Sequence, residues 1–195
     1  KTGKIEFLGD DTFPEKKLRK KVNLKKGDVY NLSKIREGVF NITELYSRQG
    51  YAYADVIPER VVNAKKKVVD TAMKIDKGRK VYIGKITIAG NLKTKDKVIR
   101  REFRFAEGSL FDSEKLRRSK ERIMNTRFFE DVQIQTGRGE KDDTIDITTS
   151  VVERSTGTIG AGLGYSSVDN AIVTAQISQD NLFGNGQKLA FTRSE

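Results

Sequence analysis

Hydrophobic and polar positions along this chain fall into one pattern, written twice. Lys4–Leu8 alternates and stops at Gly9, which predicts a strand. Thr12-Phe13-Pro14-Glu15 reads as a helix start, with Thr12 as cap and Glu15 closing a capping box, and the helix is expected to reach about Val22. Asn31 is a good cap for a second helix. There Leu32, Ile35, Val39, Ile42 and Leu45/Tyr46 recur at helical spacing as far as Gly50. Tyr53–Val61 then reads as a strand, Val62–Lys66 as a turn and Lys67–Ile75 as a strand. The predicted order is β-α-α-β-β. It returns as strand Val81–Ala89, helix Thr94–Phe103, helix Asp112–Asn125 capped by Asp112, strand Phe129–Thr136, polar turn Gly137–Asp143 and strand Thr144–Val152.

The two copies are in register at the residue level. Gly3-Lys4-Ile5-Glu6-Phe7-Leu8-Gly9 returns as Gly84-Lys85-Ile86-Thr87-Ile88-Ala89-Gly90, a shift of 81 positions. At the same shift Arg19 meets Arg100, Leu24 meets Phe105, Gly27 meets Gly108, Ile35 meets Leu116 and Ile42 meets Ile123. The second copy is five residues shorter between its long helix and the next strand. A kept pattern of apolar and glycine positions marks a small domain used in tandem. The expected domains are residues 1–78 and 79–154, joined by Asp76-Lys77-Gly78-Arg79-Lys80. The expected fold class is α+β: two β-α-α-β-β domains, each a three-stranded sheet on two helices.

Pro58 lies inside Tyr53–Val61. Proline has no N–H for a sheet ladder, so this strand is expected at a sheet border. A border leaves N–H and C=O groups open to another extended chain, and proline there also guards against aggregation. The candidate strand-addition edge is Tyr53, Ala54, Asp55, Val56 and Ile57.

After Arg154 the pattern changes. Ile159, Ala161, Leu163 and Tyr165 alternate with Thr158, Gly160, Gly162 and Gly164. Val173, Ala175 and Ile177 alternate within Ile172–Gln179, and Leu189 and Phe191 within Gln187–Arg193. Asp180–Gly186 is a turn-like cluster. Such strands fit a membrane barrel or a soluble sandwich. Three cannot close a barrel, so residues 155–195 are expected to be incomplete: disordered, a small meander, or paired with another molecule.

Charge sharpens this division. Residues 1–78 carry 18 basic and 11 acidic side chains, residues 79–154 carry 18 and 13, and residues 155–195 only 2 and 3. The net charge of +11 suggests nucleic acid, anionic lipid or an acidic partner. Cys and His are both absent. Disulfides, the usual zinc sites and Ser-His or Cys-His nucleophiles are thereby excluded. No calcium-loop spacing, phosphate loop or paired nucleophile and base appears, so no enzyme, metal or cofactor is expected. No apolar run approaches the length of a membrane helix, and the chain opens directly on a strand, as part of a longer polypeptide would.

The two repeats, Val152-Glu153-Arg154, the glycine-alternating strand Thr156–Tyr165 and Gln179-Asp180-Asn181-Leu182-Phe183-Gly184-Asn185-Gly186 together resemble the BamA family of outer-membrane protein assembly factors. In that resemblance the repeats look like POTRA domains, the second being the membrane-proximal one. The chain would hold the last two POTRA domains and the first barrel strands. The resemblance implies a periplasmic scaffold at the bacterial outer membrane. It would receive unfolded outer-membrane proteins, dock accessory lipoproteins and meet outer-membrane lipid. It implies lipoprotein docking at Arg100, Arg101 and Glu107, and a first barrel strand at Thr158, Ile159, Gly160, Ala161, Gly162, Leu163, Gly164 and Tyr165.

Related transporters of the two-partner secretion or translocation-assembly type carry similar repeats and stay open as a second reading. A nucleic-acid module of the KH type is disfavoured. It needs Gly-X-X-Gly between its helices, and the loops here are Lys25-Lys26-Gly27-Asp28 and Ala106-Glu107-Gly108-Ser109.

Overall fold

A computed structural model describes residues 1–166 and 170–194. The elements run β1 (Thr2–Leu8), α1 (Glu15–Arg19), α2 (Leu32–Ser47), β2 (Asp55–Asn63), β3 (Val68–Asp76), β4 (Tyr82–Ala89), α3 (Asp96–Arg100), α4 (Ser113–Asn125), β5 (Phe129–Arg138), β6 (Thr144–Glu153), β7 (Gly157–Ser166), β8 (Asn170–Leu182) and β9 (Gln187–Ser194). The strands form three sheets, in the orders β1-β3-β2, β4-β6-β5 and β7-β8-β9. The repeated β-α-α-β-β order is therefore present, and β7, β8 and β9 form a small antiparallel meander.

The long helices begin as their sequence predicts. The Asn31 side chain accepts from the Ser33 and Lys34 N–H groups at 2.9 and 3.3 Å, and Asp112 accepts from Glu114 N–H at 2.9 Å. The short helices differ from expectation. Five residues each remain of the spans Thr12–Val22 and Thr94–Phe103. Pro14 and Lys95 stand at their starts without a side-chain cap, so the capping box of Thr12 and Glu15 does not form. Both threonines are engaged elsewhere: Thr12 with Asp10 and Lys77, Thr94 with Glu153 and Asn181.

The duplication extends to individual bonds. Arg19 Nη2 donates to the Ile5 carbonyl at 2.5 Å, and Arg100 Nη2 to the Ile86 carbonyl at 2.9 Å. Gly27 N–H donates to the Thr2 carbonyl at 2.9 Å, and Gly108 N–H to that of Ile83 at 2.7 Å. Asp70 accepts from Lys4 N–H at 2.6 Å, and Asp146 from Lys85 N–H at 2.8 Å. Gly9 and Gly90 both adopt positive φ, at 98° and 89°. A side chain there would strike the carbonyl oxygen of Ile75 or of Val151, so glycine is required twice for one reason.

The chain divides into two compact units. The first comprises Lys1–Ile83, Gly108–Glu114 and Gly139–Ile145, and the second Gly84–Glu107, Lys115–Arg138 and Asp146–Glu195. In the first, β1 runs parallel to β3 and β2 antiparallel to it. Ile5, Met73, Ile75 and Val56 from this sheet meet Leu18, Ile35, Ile42 and Tyr46 from α1 and α2. The same unit holds a joint that periodicity does not reveal. Gly50 leaves room for Leu110, whose side chain lies 2.6 Å from where a Cβ would stand. Val81 N–H donates to the Gly50 carbonyl at 2.9 Å, and Arg48 pairs with Glu114 at 2.8 Å. The core of the second unit gathers Val98, Ile99, Ile123, Phe128, Phe129, Val132 and Val151.

Candidate docking edges and the junction to the last three strands

Strand β2 has β3 as its neighbour in the sheet and forms the border that Pro58 requires. Its limits correct the expected edge. The strand begins at Asp55, so Tyr53 and Ala54 lie in the turn before it, Tyr53 exposed and Ala54 buried. A tight turn after Gly50 consumes these residues, with Ala54 N–H bonded to the Tyr51 carbonyl. Val56 is 3% exposed and belongs to the core, whereas Ile57, Val61 and Val62 are exposed. Pro58 is tolerated where its nitrogen faces away from β3. Backbone direction alternates along a strand, so Val56, Arg60 and Val62 share that outward direction.

The structure brings two of the three expected docking residues together. Arg100 and Glu107 lie 3.8 Å apart and clasp one residue between them. Glu107 accepts the Ile86 N–H at 2.9 Å while Arg100 donates to the Ile86 carbonyl. Both side chains remain about half exposed. Arg101 pairs instead with Glu102 at 3.5 Å and lies beside Gly186.

At the end of each repeat's third strand sits a charged latch, and its sign differs between copies. In the first, Lys77 pairs with the buried Asp10 carboxylate at 2.6 Å, and the Tyr46 hydroxyl donates to the same carboxylate at 2.8 Å. Burial works against charge on Asp10. The hydrogen bonds from Lys77, Thr12 and Tyr46 outweigh it and hold the carboxyl well below its ordinary range. Burial, then the Asp10 bond, pushes the Tyr46 hydroxyl above its own. In the second copy the corresponding residue is Glu153. Its carboxylate accepts Thr94 N–H at 2.6 Å and Lys93 N–H at 2.9 Å. Burial opposes the charge here too, but the Thr94 hydroxyl and these two N–H groups lower the Glu153 pKa.

This second latch extends to the last three strands. Asn181, 7% exposed, donates from Nδ2 to the Thr94 hydroxyl at 2.8 Å and accepts Gly186 N–H at 2.7 Å. The Lys95 N–H donates to the Gly184 carbonyl at 3.0 Å. Gly184 has φ +69°, and a Cβ there would fall on the Lys93 carbonyl oxygen. The Arg154 N–H donates to the Phe128 carbonyl, and Gln179 bonds Thr156. The β8–β9 turn is thus fastened to the loop before α3, with Glu153, Thr94 and Asn181 as one continuous chain of hydrogen bonds. Sequence reading marked Glu153 and the Asn181–Gly186 segment without assigning them a task. The available signal was a buried-type pairing of Asn with two turn glycines.

Strand β7 spans Gly157–Ser166, containing the expected Thr158–Tyr165. The side chains of Tyr165 and Ile172 lie outside the described ones. Ile159 pairs with Ile177, Leu163 with Val173, and Ile177 with Phe191. These side chains share one face and are exposed. Thr158 pairs with Ser178, Gly162 with Thr174, and Gln176 with Thr192 on the other.

Comparisons with known proteins agree with this geometry. The POTRA family model, described as a surface antigen variable number repeat, matches residues 1–78 and 81–154. The chain is 36% identical over 194 residues to the outer membrane protein assembly factor BamA of Neisseria meningitidis serogroup B, covering 98% of this chain and 24% of that protein. It is 35% identical over 190 residues to BamA of Nitratidesulfovibrio vulgaris, covering 95% of this chain and again 24% of the relative. It thus spans about a quarter of the length of these curated relatives. The crystal structure of BamA from Haemophilus ducreyi lacking POTRA domains 1–3 superposes with a TM-score of 0.84 at 28% identity, covering 100% of this chain and 37% of that one. With two matched repeats, each built on its own three-stranded sheet and two helices, the chain belongs to the POTRA family.

Proposed function

We propose that this chain is the membrane-proximal scaffold of an outer-membrane protein assembly factor. In this reading residues 1–78 and 79–154 are the last two POTRA domains, in the periplasm. Residues 155–195 open a transmembrane barrel in the bacterial outer membrane. The observation that carries it is the third sheet: exposed apolar side chains on one face, polar and glycine positions on the other, fastened by its turn to a POTRA repeat. β7 is 10 residues long, enough to cross a bilayer as a tilted strand. The similarity to BamA over the whole chain supports the same reading. The protein acts through surfaces and not through a reaction.

Unfolded outer-membrane proteins are received by strand addition at the β2 border. Backbone bonds supply affinity there, with little demand on sequence. Val56 is too deeply packed to test this. Arg60 shares the outward backbone direction of Pro58 and its side chain is exposed. Arg60→Pro therefore removes a second outward donor while sparing the β2–β3 ladder and the core. Photo-crosslinking of unfolded outer-membrane proteins from position 57 is expected to fall several-fold in this variant. Equal crosslinking would reject strand addition at β2.

Accessory lipoproteins dock at Arg100, Arg101 and Glu107, where exposed charges of both signs suit paired, salt-sensitive contacts. Glu107→Lys is expected to lower lipoprotein recovery with the purified protein. Glu107→Gln keeps an acceptor for Ile86 N–H and reports the role of charge alone. If both variants recover lipoprotein normally, this docking site is wrong. β7 stands at an edge of its sheet and offers its glycine-rich backbone as the first barrel strand.

A further inference from the structure

Leu92 and Phe183 are among the most exposed large apolar side chains of the described residues, at 94% and 81%. They come from different parts of the second unit, yet flank one backbone contact. Leu92 precedes Lys93, whose carbonyl oxygen lies against Gly184, and Phe183 precedes Gly184. Phe183 is held in the left-handed region at φ +53°, which bulky residues avoid. Local strain that keeps an aromatic ring in solvent calls for a partner for that ring. Lys93, Lys95 and Lys97 are exposed along the same loop and α3. The turn that carries Phe183 ends the sheet whose apolar face bears Ile177, Leu189 and Phe191.

We infer that Leu92 and Phe183 form a lipid foot, by which the second POTRA repeat itself enters the periplasm-side interface of the outer membrane. This inference rests on β7–β9 being membrane strands. The occupant is the bilayer interface and not another protein, for three reasons. The turn that carries Phe183 closes the end of β8 and β9 that is fastened to the repeat. Membrane strands carry aromatic girdles at that level. Lysines beside apolar side chains suit an interface, where the side chains insert and the ammonium groups meet lipid phosphates. The foot adds to the Asn181 and Gly184 contacts a third attachment that fixes the repeat against the membrane surface.

Site-directed spin labelling tests this. The chain has no cysteine, so Leu92→Cys, Phe183→Cys, Ile177→Cys and Lys120→Cys each give one label within it. The labels are read in the full-length protein, freed of cysteines elsewhere, in bilayers of phosphatidylethanolamine and phosphatidylglycerol. Collision rates are measured with oxygen, which concentrates in lipid, and with a nickel chelate, which stays in water. Labels at 92 and 183 are expected to follow the lipid label at 177, with oxygen collisions dominant, and label 120 on the charged α4 to favour nickel. If 177 reads as lipid while 92 and 183 read as water, the foot is wrong and the membrane sheet stands. If 92 and 183 are shielded from both reagents, protein covers them and the foot is wrong. If 177 itself reads as water, the membrane reading falls and the foot with it.

Discussion

Gly184→Ala is expected to release the β8–β9 turn from the second POTRA repeat. Two costs add at this position. An L-residue held at φ +69° loses about 1–2 kcal/mol. The new Cβ also meets the Lys93 carbonyl oxygen, which belongs to rigid backbone, and overpacking of that kind costs about 1–3 kcal/mol. The combined loss exceeds what one hydrogen bond such as Lys95 N–H to the Gly184 carbonyl contributes, about 1 kcal/mol. The turn should therefore open as a local unit while both POTRA cores stay folded. Hydrogen exchange at the Lys95 and Gly186 amides measures this, and both should lose protection. Gly160→Ala is the control, because nothing but the Gln176 Cβ comes as close as 4.0 Å to its new methyl group. Equal protection in Gly184→Ala and in the parent would show that the turn is not anchored there.

Glu153→Ala should have the second largest effect, because one carboxylate serves three donors. Its removal orphans the buried Thr94 N–H, at about 1–3 kcal/mol, and also the Thr94 hydroxyl that holds Asn181. The second unit is expected to melt lower and its β8–β9 turn to loosen. The same residue sets a pH dependence. Its pKa in the folded protein is depressed, so its contribution is complete above the ordinary glutamate value of about 4.3. That contribution drains away as pH falls below this value toward the folded pKa. Melting temperature followed between neutral and acidic pH should drop less steeply in Glu153→Ala. Asp10 obeys the same sign in the first unit, so the comparison is best made by amide exchange within the second.

The repeat was legible because it is written in backbone requirements. Gly9 and Gly90 recur since each lies under a carbonyl, and Arg19 and Arg100 since each reaches the same strand carbonyl. The border position of β2 was legible from Pro58 alone. The short helices were misjudged for a nameable reason. Thr12 and Thr94 have the chemistry of caps, but Lys77 and Glu153 engage them through contacts 65 and 59 residues apart in sequence, which local pattern does not encode. The packing of the residues proposed for docking was only partly legible. Arg100 and Glu107 look like surface charge in sequence, yet both also brace Ile86. Leu110 against Gly50 joins residues from different repeats, and neither residue departs from its local pattern.

The central claim is that this scaffold works by offering strand backbone to unfolded outer-membrane proteins. Residue-resolved hydrogen exchange, with and without an extended peptide from such a protein, tests it most directly. The account predicts new protection at the amides of Val56, Arg60 and Val62, which face away from β3, and no change at Ile57, Glu59 and Val61, which already face it. Protection confined to helix surfaces, with β2 exchanging as before, would contradict it.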